Sequence, residues 1–290
     1  TTYKEIFGKQ IKQLSSDPSA AVSEGQIWYN TTSGTFKSSL GVGAWSSGGN
    51  YPVSTATNSG AGTQTAAIGF GGIATPGLLN VSNTYDGSSW TGTPVLNTAR
   101  KSSGSAKDGS QTAALMVGGQ AAPGTTESNA TEEYNGSSWT SVNNYPVSAR
   151  LHDQATGTQT STLASAGYTG SYIATTCTYD GTNWTALGGP SDMNSSRFNG
   201  TTCGTQTAAV MFGGTSPGGS GLVESWNGSA WSEESATFNT PRNVGGSAGT
   251  STNAIYFGGE PAGNGTATES WNGTSFTTLA SMANSKYAMA

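Results

Sequence analysis

Gly109-Ser110-Gln111-Thr112-Ala113-Ala114-Leu115-Met116-Val117-Gly118-Gly119, followed after a polar loop by Thr131-Glu132-Glu133-Tyr134-Asn135-Gly136-Ser137-Ser138-Trp139, decides the fold. Residues 112–117 form a short apolar run that does not alternate, so it reads as a strand covered on both faces. Gly118-Gly119 ends the run with residues free to take unusual backbone angles. Residues 131–134 read as a second strand and residues 137–140 as a third, and Asn135-Gly136 between them predicts a type I′ hairpin turn. The same order of residues begins at Gly62, Gly109, Gly157, Gly204 and Gly249, at intervals of 47, 48, 47 and 45. A repeat of this length made of strands and turns predicts an all-β chain folded as a β-propeller.

Composition agrees with a repeat architecture. The chain has 290 residues, of which 43 are Gly, and only 9% are charged. Many of the 8 Trp, 11 Tyr and 8 Phe fall at repeated positions, which argues against disorder. The aromatic after each turn is Trp90, Trp139, Trp184, Trp231 or Phe276, placed to fill the wedge between neighbouring sheets. The net charge of −5 and the scattered basic residues disfavour nucleic acid and anionic membrane as partners. No stretch approaches the roughly 20 apolar residues of a membrane span. The first 16 residues lack the apolar core of a signal peptide.

The repeat resembles kelch repeats, in which an apolar strand ends in Gly-Gly and is followed by a Glu two residues before an aromatic, a spaced Trp, and an Arg before the next strand. Glu132, Glu224 and Glu269 match that glutamate, and Asn83 and Cys177 replace it in two repeats. Arg100, Arg150, Arg197 and Arg242 match the arginine, and Lys286 stands near that place at the end. Five repeats are complete. Residues 24–30, 35–38 and 44–46 read as three strands of a further blade, and residues 285–290 as its innermost strand. The expected fold is therefore a kelch-like propeller of six blades over residues 24–290, the ring closed by the C-terminal strand joining the N-terminal ones. Five blades plus an N-terminal hairpin module is the alternative. Residues 1–23 are left as a strap or an attachment segment carrying Ile6, Phe7, Ile11 and Leu14.

Chemistry is sparse. One histidine, His152, and two cysteines, Cys177 and Cys203, do not supply a metal site of ordinary spacing, and no cofactor is expected. His152 reads as a surface residue. A disulfide between the cysteines is not indicated by their places in different repeats. The recurring glutamates occupy one equivalent strand position, which points to structure rather than to paired catalytic carboxylates. No nucleophile elbow accompanies the single histidine. No catalytic residue is assigned. Loops that vary on a constant scaffold are where binding is expected. Tyr168 and Tyr172, with Tyr145, Phe198 and Arg150 nearby, are the candidate binding residues, suited to stacking on sugar rings or to a protein partner.

Tyr3-Lys4-Glu5-Ile6, Ser16-Asp17-Pro18 and Glu24-Gly25-Gln26-Ile27-Trp28-Tyr29-Asn30, followed by the Gly-Thr-Gln-Thr-Ala-Ala and Tyr-Asn-Gly-Ser-Ser-Trp repeats, resemble virion proteins of marine tailed phages. The resemblance implies a non-enzymatic virion component, such as a tail fibre or other surface protein. It would be held by its N-terminal segment to other virion proteins, be homo-oligomeric in the particle, and face a host glycan or protein. A lectin or carbohydrate-active enzyme on the same scaffold is the alternative.

Overall fold

The computed structural model describes residues 12–15, 27–38, 45–121, 126–215, 221–260 and 265–287. These are almost wholly strands and turns, and their one helical element is a short 3-10 turn at Gly189–Ser191. The chain divides into two compact units, Thr1–Ala44 and Trp45–Ala290. In the smaller unit Lys12–Leu14 runs parallel to Ile27–Asn30, which forms an antiparallel hairpin with Thr35–Ser38. Leu14 is half-buried there, and Ile6, Phe7 and Ile11 lie outside the described residues.

The larger unit carries five four-stranded antiparallel sheets among its described residues, an arrangement consistent with a β-propeller-like fold. Their leading strands are Ser59–Thr63, Gly104–Ser105, Ala155–Thr158, Thr201–Thr205 and Gly246–Thr250. The second strands are Ala66–Phe70, Ala114–Val117, Ser161–Tyr168, Ala208–Phe212 and Asn253–Phe257. Strand order follows chain order in every sheet. The sixth sheet expected from both chain ends is not among them: Trp45, Ser46 and residues 285–287 form no strand, and residues 288–290 lie outside the described residues. Register gives the reason. Gly259 N–H donates to Lys286 O at 2.8 Å, as Gly72 N–H does to Arg100 O. Lys286 therefore sits at the position of Arg100, which lies outside the leading strand Gly104–Ser105 of its own sheet.

The second strands carry apolar side chains on both faces, because those of the middle sheets serve two interfaces. Successive side chains point to opposite faces. In the second sheet, Ala114 and Met116 pack with Ile68 and Phe70 of the first sheet. Leu115 and Val117 pack with Ala164 and Tyr179 of the third. The same alternation joins the third sheet to the fourth through Leu163 and Met211, and the fourth to the fifth through Phe212 and Tyr256. Full burial of each large side chain contributes roughly 1.5–3 kcal/mol. Ile255 and Phe257, which point onward from the fifth sheet, are only half-buried.

Two polar devices fix the spacing between sheets. Gln111 Nε2 donates across the interface to Ala67 O and Tyr85 O, Gln159 to Ala114 O and Tyr134 O, and Gln206 to Thr162 O and Tyr179 O, all within 2.7–3.2 Å. The Gln of the Gly-Thr-Gln signature is thus a staple to the preceding sheet. Trp184 Nε1 donates to Thr131 Oγ1 and Trp231 Nε1 to Thr176 Oγ1, both at 3.0 Å. In the fifth sheet Phe276 replaces the tryptophan, and the facing residue is Val223, so donor and acceptor are lost together.

The turn differs from the one expected. Tyr134 pairs with Trp139, so the loop holds four residues, and only Gly136 has positive φ. Asn135 Oδ1 accepts from the N–H of Ser137 and Ser138 at 3.0 and 2.9 Å. Asp86 and Asp180 do the same in their turns, and these bonds hold their carboxyls below the ordinary carboxylate range. The side chain caps the loop, which removes the need for a left-handed Asn.

Candidate functional site

The recurring charges are consumed by the scaffold. Arg100–Glu132, Arg197–Glu224 and Arg242–Glu269 are ion pairs of 2.8, 2.7 and 2.6 Å with side chains essentially fully buried. The second carboxylate oxygen of each glutamate accepts a backbone N–H from an asparagine three residues before the arginine: Asn97, Asn194 and Asn239, at 2.7–2.9 Å. An apolar residue precedes each asparagine, namely Leu96, Met193 or Phe238, and all three are buried.

Two sheets lack this arrangement, and they lack all of it. In the third, Gly119 N–H donates to Ala149 O, which places Ala149, not Arg150, at the arginine position. The match of Arg150 to the kelch arginine is thereby corrected. Cys177 stands for the glutamate, and Pro146, which has no N–H to offer, stands for the asparagine. Tyr145 replaces the apolar residue and fills the vacated space; it is 1% exposed, beside Ala149 and Cys177, and edge-on to Trp184 at 5.0 Å. The first sheet repeats the substitution with Tyr51-Pro52 and Asn83, and Asn83 Nδ2 donates to Tyr51 Oη at 3.0 Å. Tyr145 is therefore a core residue and not part of a binding surface.

Arg150, displaced by one residue from the buried position, turns outward and organises a surface cluster. Its Nε and Nη2 both bond Glu127 Oε1, at 3.1 and 2.9 Å, and its guanidinium lies 5.1 Å from the centre of the Tyr168 ring. Backbone bonds of 2.9 and 3.0 Å between Arg150 and Tyr168 hold the two together. Tyr172 meets Tyr168 edge-on at 5.9 Å, and Phe198 from the following repeat backs it at 5.8 Å. Tyr172 is 37% exposed. The structure thus brings together Tyr168, Tyr172, Phe198 and Arg150 of the five expected binding residues, and adds Glu127.

Local backbone explains the placement. In the third sheet the Gly-Gly signature is Ala166-Gly167, and the strands run on through it as Ser161–Tyr168 and Tyr172–Tyr179. A register shift between Ser165 and Gly167, with Ala166 at φ 60°, re-aims the strand so that Tyr168 and Tyr172 stand at the tip of a long hairpin.

A second polar cluster is buried. Gly109 lies nine residues after Arg100, whereas Gly204 and Gly249 lie seven after Arg197 and Arg242. The two extra residues are Lys107-Asp108. Lys107 Nζ reaches Asp153 Oδ2 at 2.6 Å and Thr201 Oγ1 at 2.7 Å, joining the second, third and fourth repeats. His152, expected at the surface, is 4% exposed, because the turn that delivers Asp153 to Lys107 carries it inward. Burial pushes its pKa down to about 4, with Lys107 adding to the effect. Cys177 and Cys203 are free buried thiols raised to about 11 and 12, chiefly by desolvation, which makes them unreactive. A cavity of about 990 Å³ opens beside the first and fifth sheets, lined by Gln64, Trp90, Lys107 and Phe257 among others.

No group of three or more His, Cys, Asp and Glu among the described residues is placed to hold a metal ion. No helix among them is long and apolar enough to cross a membrane. Comparison with protein-family models finds no matching family, and comparison with curated proteins finds no match.

Proposed function

We propose that this chain is a non-enzymatic surface component of a tailed-phage particle, a tail fibre or a neighbouring decoration, that binds the host surface through the Tyr172 cluster. In this reading the larger unit is a kelch-like propeller of six blades, the sixth built around Trp45. Residues 1–23, with Ile6, Phe7, Ile11 and Leu14, attach it to other virion proteins, and several copies act together. The observation that carries the reading is the third hairpin. Every recurrent Arg and Glu that could serve chemistry is buried in a structural pair, and the exposed aromatic and charged group stands where the repeat abandons that pair. Support for the sixth blade comes from Trp45, whose Nε1 donates to Thr268 Oγ1 at 3.1 Å, the bond that Trp184 and Trp231 make to the sheet before them.

The test is particle-based. Mass spectrometry of purified particles should find the chain, and deleting residues 1–23 should remove it. Particles carrying Tyr172→Ala should contain normal amounts of the chain and adsorb poorly to host cells. Normal adsorption by that variant refutes the binding role.

A further inference from the structure

We infer that the Tyr172 cluster binds a neutral pyranose ring of a surface glycan, an assignment that rests on the host-binding reading above. Arg150 is the cation of the cluster among the described residues, and its guanidinium is already matched by the Glu127 carboxylate at 2.9 Å. An anionic ligand, whether uronate, sulfate or phosphate, would approach a carboxylate as closely as a guanidinium. A hydroxyl group both donates and accepts. An adjacent pair of sugar hydroxyls is therefore matched by a guanidinium edge beside a carboxylate oxygen. Both side chains remain partly open, Arg150 at 30% and Glu127 at 24% exposure, so the pair is available without being broken.

The aromatic part fits the same ligand. Tyr172 is the exposed ring, and Tyr168 stands edge-on behind it, itself fixed by Phe198 and Arg150. A tyrosine face accepts the C–H face of a sugar ring, while its hydroxyl stays wet. Rigid backing means that little side-chain entropy is lost on binding. Thr169, Gly170 and Ser171 at the hairpin tip are small and exposed, which leaves the ring open from the solvent side.

The test uses the full chain against a panel of neutral, uronate-containing and sulfated oligosaccharides, read by saturation-transfer NMR and titration calorimetry. Binding is expected for neutral members only. Tyr172→Ala should weaken it about tenfold, Tyr172→Phe should retain it, and Glu127→Gln should weaken it, with thermal midpoints unchanged. A panel with no neutral binder, a preference for acidic members, or neutral binding indifferent to Tyr172→Ala overturns the inference. The two readings fail separately. If adsorption of particles requires Tyr172 but the neutral glycans do not bind, the saccharide is wrong and host binding stands. If adsorption ignores Tyr172, host binding itself is wrong.

Discussion

Removing one glutamate of the buried ion pairs should be costly, and removing the whole motif should not. Glu224 accepts from Arg197 Nη2 at 2.7 Å, from Asn194 N–H at 2.8 Å, from Asn194 Nδ2 at 3.0 Å and from Ser195 N–H at 3.2 Å. Glu224→Ala leaves a guanidinium with no exposed surface without its counter-charge, and two backbone donors without an acceptor. Breaking a buried pair from one side costs about 3–5 kcal/mol. For a unit of this size that lowers the thermal midpoint by about 6–20 °C.

The first and third sheets supply the control. They replace the arginine, the glutamate and the asparagine together and insert a tyrosine into the space. Transplanting that solution into the fourth sheet as Met193→Tyr, Asn194→Pro, Arg197→Ala and Glu224→Cys removes the charge, the counter-charge and one of the two orphan backbone donors at once. The four-fold variant should recover more than half of the stability lost by Glu224→Ala. Differential scanning calorimetry and urea unfolding read both proteins. A single variant that loses less than about 1 kcal/mol, or a four-fold variant no more stable than the single one, would show that the pair is not what the repeat is built around.

Four further outcomes follow from the same contacts. His152 is neutral when folded, with its pKa depressed to about 4, so folding is favoured above the ordinary histidine range and weakened as pH falls from about 6.5 towards 4. That loss amounts to about 3 kcal/mol and should be absent in His152→Leu, as urea titrations at stepped pH will show. Lys107→Met strands the buried Asp153 carboxylate and should cost about 3–5 kcal/mol at neutral pH. Burial already raises the Asp153 pKa, so the gap between the variant and the parent protein should narrow as acidification protonates that group, which paired melting curves between neutral pH and pH 4 can follow. Gln159→Ala frees two interface carbonyls and should cost about 1–3 kcal/mol. Gln64, exposed on the open side of the first sheet, should cost as much when changed to Ala if a sixth blade presents its carbonyls there, and close to nothing if none does.

Much of the scaffold was legible because its contacts repeat. The apolar run before Gly-Gly announced a strand covered on both sides, and the burial of Ala114 through Val117 follows from it. The structural role of Glu132, Glu224 and Glu269 was legible from their equivalent positions. What sequence spacing did not deliver was register at single-residue resolution. Arg150 reads as the repeat's arginine by proximity, yet Ala149 makes the backbone bond that defines the place. Tyr145 reads as a loop aromatic, yet it fills the volume that the missing pair vacates. The Pro in Tyr51-Pro52 and Tyr145-Pro146 carried the missing signal, since a residue without an N–H cannot face a buried carboxylate. Extra length between Arg100 and Gly109 likewise marked Lys107, but its partner Asp153 is fixed only by folding. Among the described residues, 285–287 form no strand, although spacing alone reads them as the start of one.

Scaffold and surface are linked through one buried position. A buried Arg–Glu pair fixes the entry to the leading strands of the second, fourth and fifth sheets, and there its arginine is unavailable to solvent. The first and third sheets replaced the pair with tyrosine and proline, which hold the same entry by packing. In the third sheet Ala149 takes the core position and Arg150 stands one residue along, at the surface. There it meets a glutamate from the preceding repeat and a tyrosine from its own. The surface cluster therefore depends on the core substitution. Restoring Arg at 149 and Glu at 177 would rebuild the pair of the neighbouring sheets, and the space now held by Tyr145 would have to be given up. Function in this chain is to be sought where an interior position changed its chemistry and released a side chain outward.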